Sequence, residues 1–181
     1  MPTNAHERAK TLDGGIEQSV EGLALRSLRD SVAQIRTYLQ WQDADLGHRN
    51  NVARILRMVG NHGLTFISVG PSFDHGPTES HFKLESGARL SFGITLREAN
   101  GRCSLVAYRF HLSLPEGQSP SFYRFDLNEK AHETPLTEPR CHYHPGVDKV
   151  RLPCPVLTPL EVFDRIFLVI EPQLLAAIEP P

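Results

Sequence analysis

The chain lacks any run of about 18 apolar residues, which excludes a membrane-spanning helix as the sequence reads. It also lacks charge of one dominant sign. Its 19 Lys and Arg against 21 Asp and Glu leave a formal charge of −2. That balance argues against a nucleic-acid coat or a polybasic membrane binder, while leaving room for a local basic patch. Cysteine is scarce: Cys103, Cys141 and Cys154 make an odd number and form no CxxC pair. Free thiols in a reducing cytoplasm are the expectation. Met1–Lys10 is polar and has no apolar stretch, so no secretory signal is expected. There is no internal repeat and no low-complexity tract. No cofactor-binding motif is read, so no cofactor is expected. A chain of 181 residues suits one domain. At that length about 70% of the unfolded surface can be buried, so neither disulfide nor metal is required for folding.

What is present divides the chain into a helical start and a strand-rich remainder. Residues 1–15 read as a flexible tail and 176–181 as a second tail. Between them lie a helix over 16–43 and an α+β domain over 44–175. The helix is expected from Ile16, Val20, Leu23, Leu28, Val32, Ile35 and Leu39, which recur at mostly three- and four-residue steps. Trp41 near its end reads as packing. A second helix is expected over 45–59 from Leu46, Val52, Ile55, Leu56 and Val59, stopped by Gly60 and Gly63.

Strands are expected at 64–69, 89–98, 103–114 and 121–127, giving a four-stranded antiparallel meander. Asn100-Gly101 supplies its strongest hairpin signal. Alternation in the third strand puts Val106, Tyr108, Phe110, Leu112 and Leu114 toward the core. It puts Leu105, Ala107, Arg109, His111 and Ser113 on the other face, where Arg109 and His111 could line a groove with Arg124. Asp126, at a strand end, reads as a turn contact. Eleven of the 14 prolines lie from Pro115 onward, so 128–159 reads as an irregular, rigid excursion. A last helix is expected from Pro159 to Ile170, ended before Pro172.

Chemistry concentrates in Arg140-Cys141-His142-Tyr143-His144-Pro145-Gly146 and in Arg151-Leu152-Pro153-Cys154-Pro155. Three readings stay open. Cys154 could be a nucleophile, with Arg140, Lys149 and Arg151 lowering its pKa and flanking prolines holding it on an exposed turn. The competing account is an ordinary buried cysteine. His142 and His144, two apart, share a face if extended and could ligate a metal with Cys141, His132 or Cys154, although the spacing matches no common finger. Alternatively, His142 or His144 could perform acid–base work on RNA, with Tyr143, Arg140 and Arg151 holding a phosphate. For both histidine readings the bland account is a solvated loop.

The order of elements, with Tyr143-His144-Pro145-Gly146 placing His144 ten residues before Cys154 and then a C-terminal helix, resembles a divergent ubiquitin-conjugating enzyme over about residues 45–172. Val69-Gly70-Pro71 and the stretch from Leu114-Pro115 to Phe125 add to the likeness. The resemblance implies that Cys154 carries a ubiquitin-like modifier as a thioester and passes it to an amine. It implies that His144 fixes the active-site turn, that Tyr143 belongs to the same site, and that an activating enzyme is a partner. Gly146 stands where that family has asparagine, which leaves only backbone to support the oxyanion. No tryptophan follows Cys154, and residues 128–140 would be an insertion.

A rival resemblance is to TumE-type toxins of toxin–antitoxin pairs. It rests on Tyr123-Arg124-Phe125-Asp126, then His132, then His142-Tyr143-His144 near a C-terminal helix. It implies a site of His132, His142, His144, Arg124 and Arg151, with RNA and an antitoxin protein as partners. A non-enzymatic interaction domain, docking through the amphipathic N-terminal helix, is the third reading.

Overall fold

The computed structural model describes residues 28–70, 81–100, 102–129 and 139–178. The expected tail over 1–15, the first part of the 16–43 helix, His132 and residues 179–181 lie outside the described residues. The first described helix, α1, spans Leu28–Asp45 and buries Val32, Ile35 and Leu39. Trp41 is exposed on it rather than packed.

The expected second helix is replaced by a break, a single turn and a strand. Gly47 and His48 both take positive φ, which ends the helical path, while the Asp43 carboxylate accepts the Asn50 backbone N–H at 2.6 Å. A four-residue helix α2 follows, Val52–Ile55, capped by the Asn51 side chain. The chain then enters β1, Arg57–Asn61, paired with β2, Leu64–Val69. His62 and Gly63 both have φ > 0, the geometry of a tight two-residue hairpin turn. Pairing with β2 therefore overrides the helical spacing of Leu56 and Val59.

The remaining strands are β3 (Phe82–Lys83), β4 (Arg89–Ala99), β5 (Arg102–Ser113), β6 (Phe122–Leu127), β7 (Cys141–Pro145) and β8 (Leu152–Pro153). All pair antiparallel in one eight-stranded sheet of order β1-β2-β4-β5-β6-β7-β8, with β3 beside β4. The protein is thus α+β. β2, β4, β5 and β6 lie where the meander was expected, and the sheet runs wider than four strands at both ends. The proline-rich excursion is not wholly irregular, because it contributes β7 and β8. The two-residue link between β4 and β5 falls at positions 100–101, and Asn100 has φ +54°.

A β-bulge decides which β5 side chains enter the core. Thr95 pairs with Ala107 but Leu96 pairs with Leu105, so Val106 is the extra residue. Beyond it Tyr108, Phe110 and Leu112 are buried as expected. Before it the alternation flips: Cys103 and Leu105 are buried and Val106 is not.

The helices close one face of the sheet. Helix α3, Pro159–Asp164, is opened by a Thr158–Glu161 capping box with Pro159 in its first turn. It runs into a π-helical turn, Arg165–Ile170, and then α4, Glu171–Ile178. The helix thus does not end before Pro172, and 176–178 are helical rather than tail. Pro172 has no N–H, and its ring would strike the Leu168 carbonyl in a regular helix. The wider turn ahead of it, where Glu171 N–H reaches back to Ile166, relieves that clash. Phe163 packs edge-on against Phe92 and Phe110 and stacks on Tyr38; Phe167 meets Phe82 edge-on.

Three polar pins, one buried and two part-buried, hold this layer. Tyr38 Oη donates to Asp164 at 2.7 Å. Asn50 pairs its side-chain amide with the Lys83 backbone at 2.6 and 3.0 Å. Glu171 accepts from Ser86 N and Oγ at 2.8 and 2.6 Å. No helix among the described residues is long and apolar enough to cross a membrane.

Candidate functional site

The register of β5, β6 and β7 builds a polar array on the sheet face opposite the helices. Arg109 lies across from Asp126, and Asp126 across from His142. Two residues along, His111 lies across from Arg124, and Arg124 across from His144. Six polar side chains therefore share one face in two rows of three. The alternate residues, Tyr108, Leu127 and Cys141 or Phe110, Phe125 and Tyr143, point to the other face. Tyr143 there stacks with Tyr123 and Phe125, with centroids 6.2 and 5.4 Å apart. The structure thus brings Arg124, His142 and His144 together and separates Tyr143 from them by the thickness of the sheet.

Asp126 is the hub. Its Oδ1 accepts Arg109 Nε at 3.1 Å and its Oδ2 accepts Arg124 Nε at 2.9 Å. Nε2 of both His142 and His144 lies 3.4 Å from Oδ2. Burial, at 2% exposure, would by itself raise the Asp126 pKa. The hydrogen bond from His142 and the charges of Arg109 and Arg124 outweigh it and hold the carboxyl below the usual range. The expectation of a mere turn contact for Asp126 is corrected: it is the most connected side chain of the array. Alternation within Tyr123-Arg124-Phe125-Asp126-Leu127, read beside the His142/His144 pair, is the sequence signal that would have found it.

The two histidines differ. His142 Nδ1 meets the Pro139 carbonyl at 2.6 Å, so that nitrogen carries the proton and Nε2 faces Asp126. His144 Nε2 is 2.7 Å from Arg124 Nη2, which can only donate, so Nε2 accepts and Nδ1 bears the hydrogen. His144 Nδ1 reaches no partner in hydrogen-bonding geometry, although the Val147 backbone still favours the protonated ring weakly. Burial first, and then the Arg124 charge, push His144 below the ordinary histidine value. His111 is lowered by the same two causes in the same order. Its ring meets the edge of Phe122 at 5.1 Å.

Asp126, His142 and His144 offer donor atoms within 4.8 Å of one another, a spacing and chemistry that suit a divalent cation. Arg124, however, donates to both Asp126 Oδ2 and His144 Nε2, the lone pairs a metal would take. A guanidinium already fills the cation's place, so the set does not fit a resident metal. Cys141 and Cys154 lie toward the other face and do not join it.

The loop from β7 to β8 completes the array. Asp148, mostly exposed, accepts Arg124 Nη1 at 2.5 Å. No signal in the sequence marked this residue. Gly146 takes φ +80°, and a Cβ there would stand 2.2 Å from Pro120 Cβ. It is demanded by backbone and packing. Arg151 sits on the return arm of this hairpin, next to β8.

Cys154 is half-buried, its Sγ 3.2 Å from Cys141 Sγ. The hydrogen bond to Cys141, then burial, push the Cys154 thiol up, while the same hydrogen bond draws Cys141 down against its burial. A raised thiol is the opposite of what cations beside a nucleophile produce.

Comparison of the chain with family models, with characterised proteins and with solved structures returns no match.

Proposed function

We propose that this chain engages the phosphodiester backbone of RNA on the polar face of β5–β7 and cleaves it, in the manner of a toxin of a toxin–antitoxin pair. The observation that supports this reading is the two-row array itself, with two guanidiniums at its accessible side. Arg109 and Arg124 side chains retain 37% and 18% exposure, while His142 and His144 are almost wholly enclosed. The arginines are therefore the groups a phosphate can reach, and their planar forks suit its oxygens. Asp148 is the carboxylate that an incoming phosphate oxygen would replace on Arg124.

His111 is the candidate base. Its lowered pKa keeps the ring neutral at pH 7, with a lone pair free to take a proton. In the proposed step His111 removes the 2′-hydroxyl proton, the 2′-oxygen attacks phosphorus, and the bond to the 5′-oxygen breaks. The departing oxygen takes a proton from solvent. Arg109 and Arg124 neutralise charge on the phosphoryl oxygens. His142, His144 and Asp126 are positioning residues, acting through the arginines. The reading implies an antitoxin that covers this face. The thioester reading has no comparable support, since the thiol of Cys154 is shared with Cys141 and held up.

The test is cleavage of a mixed-sequence single-stranded RNA beside its all-2′-deoxy counterpart. RNA should be cut to products with cyclic phosphate ends, and the deoxy strand left whole. His111→Gln should lower the rate about 100-fold or more. Absence of cleavage, together with no binding of RNA at low salt, would overturn the reading.

A further inference from the structure

We infer that Cys141 and Cys154 form a modification site: a dithiol that a low-molecular-weight disulfide converts to an intrachain disulfide closing the β7–β8 hairpin. The two residues lie 13 apart in sequence, and their Sγ atoms are 3.2 Å apart. The ladder pairs His142 with Pro153 and Tyr143 with Leu152. Continued by one residue, it sets Cys141 opposite Cys154, and Cys154 N–H does donate to the Cys141 carbonyl at 3.3 Å. Hydrogen-bonded antiparallel partners keep their Cα atoms about 5.5 Å apart, inside the window a disulfide accepts. Bond formation needs the sulfurs to close to about 2.05 Å, a matter of side-chain rotation.

Access and acidity are split between the two sulfurs, so once the pair has lost one proton, Cys154 attacks when the remaining proton has passed to Cys141 across the 3.2 Å contact. Cys154 is half-buried and Cys141 fully buried. The Cys154 sulfur attacks the small disulfide and releases one thiol, which takes up the proton the pair had lost. The Cys141 sulfur then attacks Cys154 Sγ and releases the second thiol with the second proton. Two electrons and two protons thus leave the protein and reduce one disulfide to two thiols. Cys103, buried in β5, is the internal control. The bond would tie the two arms of the hairpin whose loop carries Gly146 and Asp148. β8 holds that hairpin by only two residues, Leu152–Pro153. This inference stands on the thiol geometry and does not depend on RNA cleavage.

The test uses the full chain, reduced, then exposed to oxidised glutathione at mildly alkaline pH. The chain is then unfolded, alkylated and weighed intact. Untreated protein should take three alkyl groups, one per cysteine. Oxidised protein should take one, on Cys103, with two hydrogens lost and a Cys141–Cys154 peptide recovered after proteolysis. Three alkyl groups after oxidation, a glutathione adduct persisting on Cys154, or a bond involving Cys103 or a second chain would each overturn the inference.

Discussion

At the scale of single residues, Asp126 decides the state of its neighbours. A carboxylate in this position lets two arginines and two histidines stand together on one sheet face. Removing its charge while keeping its shape leaves Arg109 facing an amide and Arg124 paired with Asp148 alone, a loss of two charge-assisted hydrogen bonds moderated by the arginines' partial exposure. Asp126→Asn should therefore lose about 1–2 kcal/mol of stability, read as a shift of the urea midpoint at unchanged slope. A midpoint within error of the parent would mean that the arginines relax into solvent without cost. The residue was hard to see in the sequence because its importance comes from neighbours on other strands. Arg109 is 17 positions away and His142 is 16, and only the register makes them adjacent. The two-residue spacing of His142 and His144 was legible, since any strand places i and i+2 on one face. Asp148 was not, since it joins Arg124 through a loop whose path depends on Gly146.

At the scale of elements, the strand pairing is read more easily than the punctuation. The patterns over 64–69, 89–98, 103–114 and 121–127 locate β2, β4, β5 and β6 to within a residue or so. They miss the Val106 bulge, because an inserted residue leaves composition unchanged and shows only as flipped burial on one side. They miss β1 because Leu56 and Val59 fit a helical period as well as a strand, and the decision falls to the His62-Gly63 turn. They miss β7 because proline density resembles irregularity, whereas Pro145 sits at the end of that strand and leaves its ladder intact.

The turn after β7 supplies the test at this scale. Gly146 combines positive φ with a close approach to Pro120. Gly146→Ala should cost at least about 2 kcal/mol, from strain and overpacking together. It should also loosen the hairpin specifically, seen as faster amide exchange across β7 and β8. Uniform destabilisation with no local change would argue against that coupling.

For the molecule as a whole, one sheet separates two chemistries. The helical side is an aromatic core around Phe163, and the opposite side is an ionic array with enclosed imidazoles. The array makes stability depend on pH. His144 and His111 have folded pKa values below the unfolded histidine value of about 6.5. Below that pH the unfolded chain takes up protons that the folded chain refuses, so their contribution is present above about 6.5 and lost as pH falls toward the folded values. Asp126, lowered as well, adds a second loss below about pH 3.9, its unfolded value. The thermal midpoint should be higher at about pH 7.5 than at about pH 5.5, and His144→Gln should flatten that difference. An equal midpoint at both would show that the imidazoles titrate as if free in solution.

The two ends of the sheet are not alike. At one end β8 is two residues long and carries Pro153, with Pro155 just beyond, so its outward backbone offers few donors to another strand. At the other, β1 is exposed along all five residues, including Met58 and Val59, and among the described strands its only neighbour is β2. Among the described strands, β1 therefore offers the longest open edge to a further strand. A second copy arriving there would bring its own β1, and its far end would again be β8. Growth by that route halts at a pair, so the proline-closed end limits how far copies of this chain can stack by their sheets.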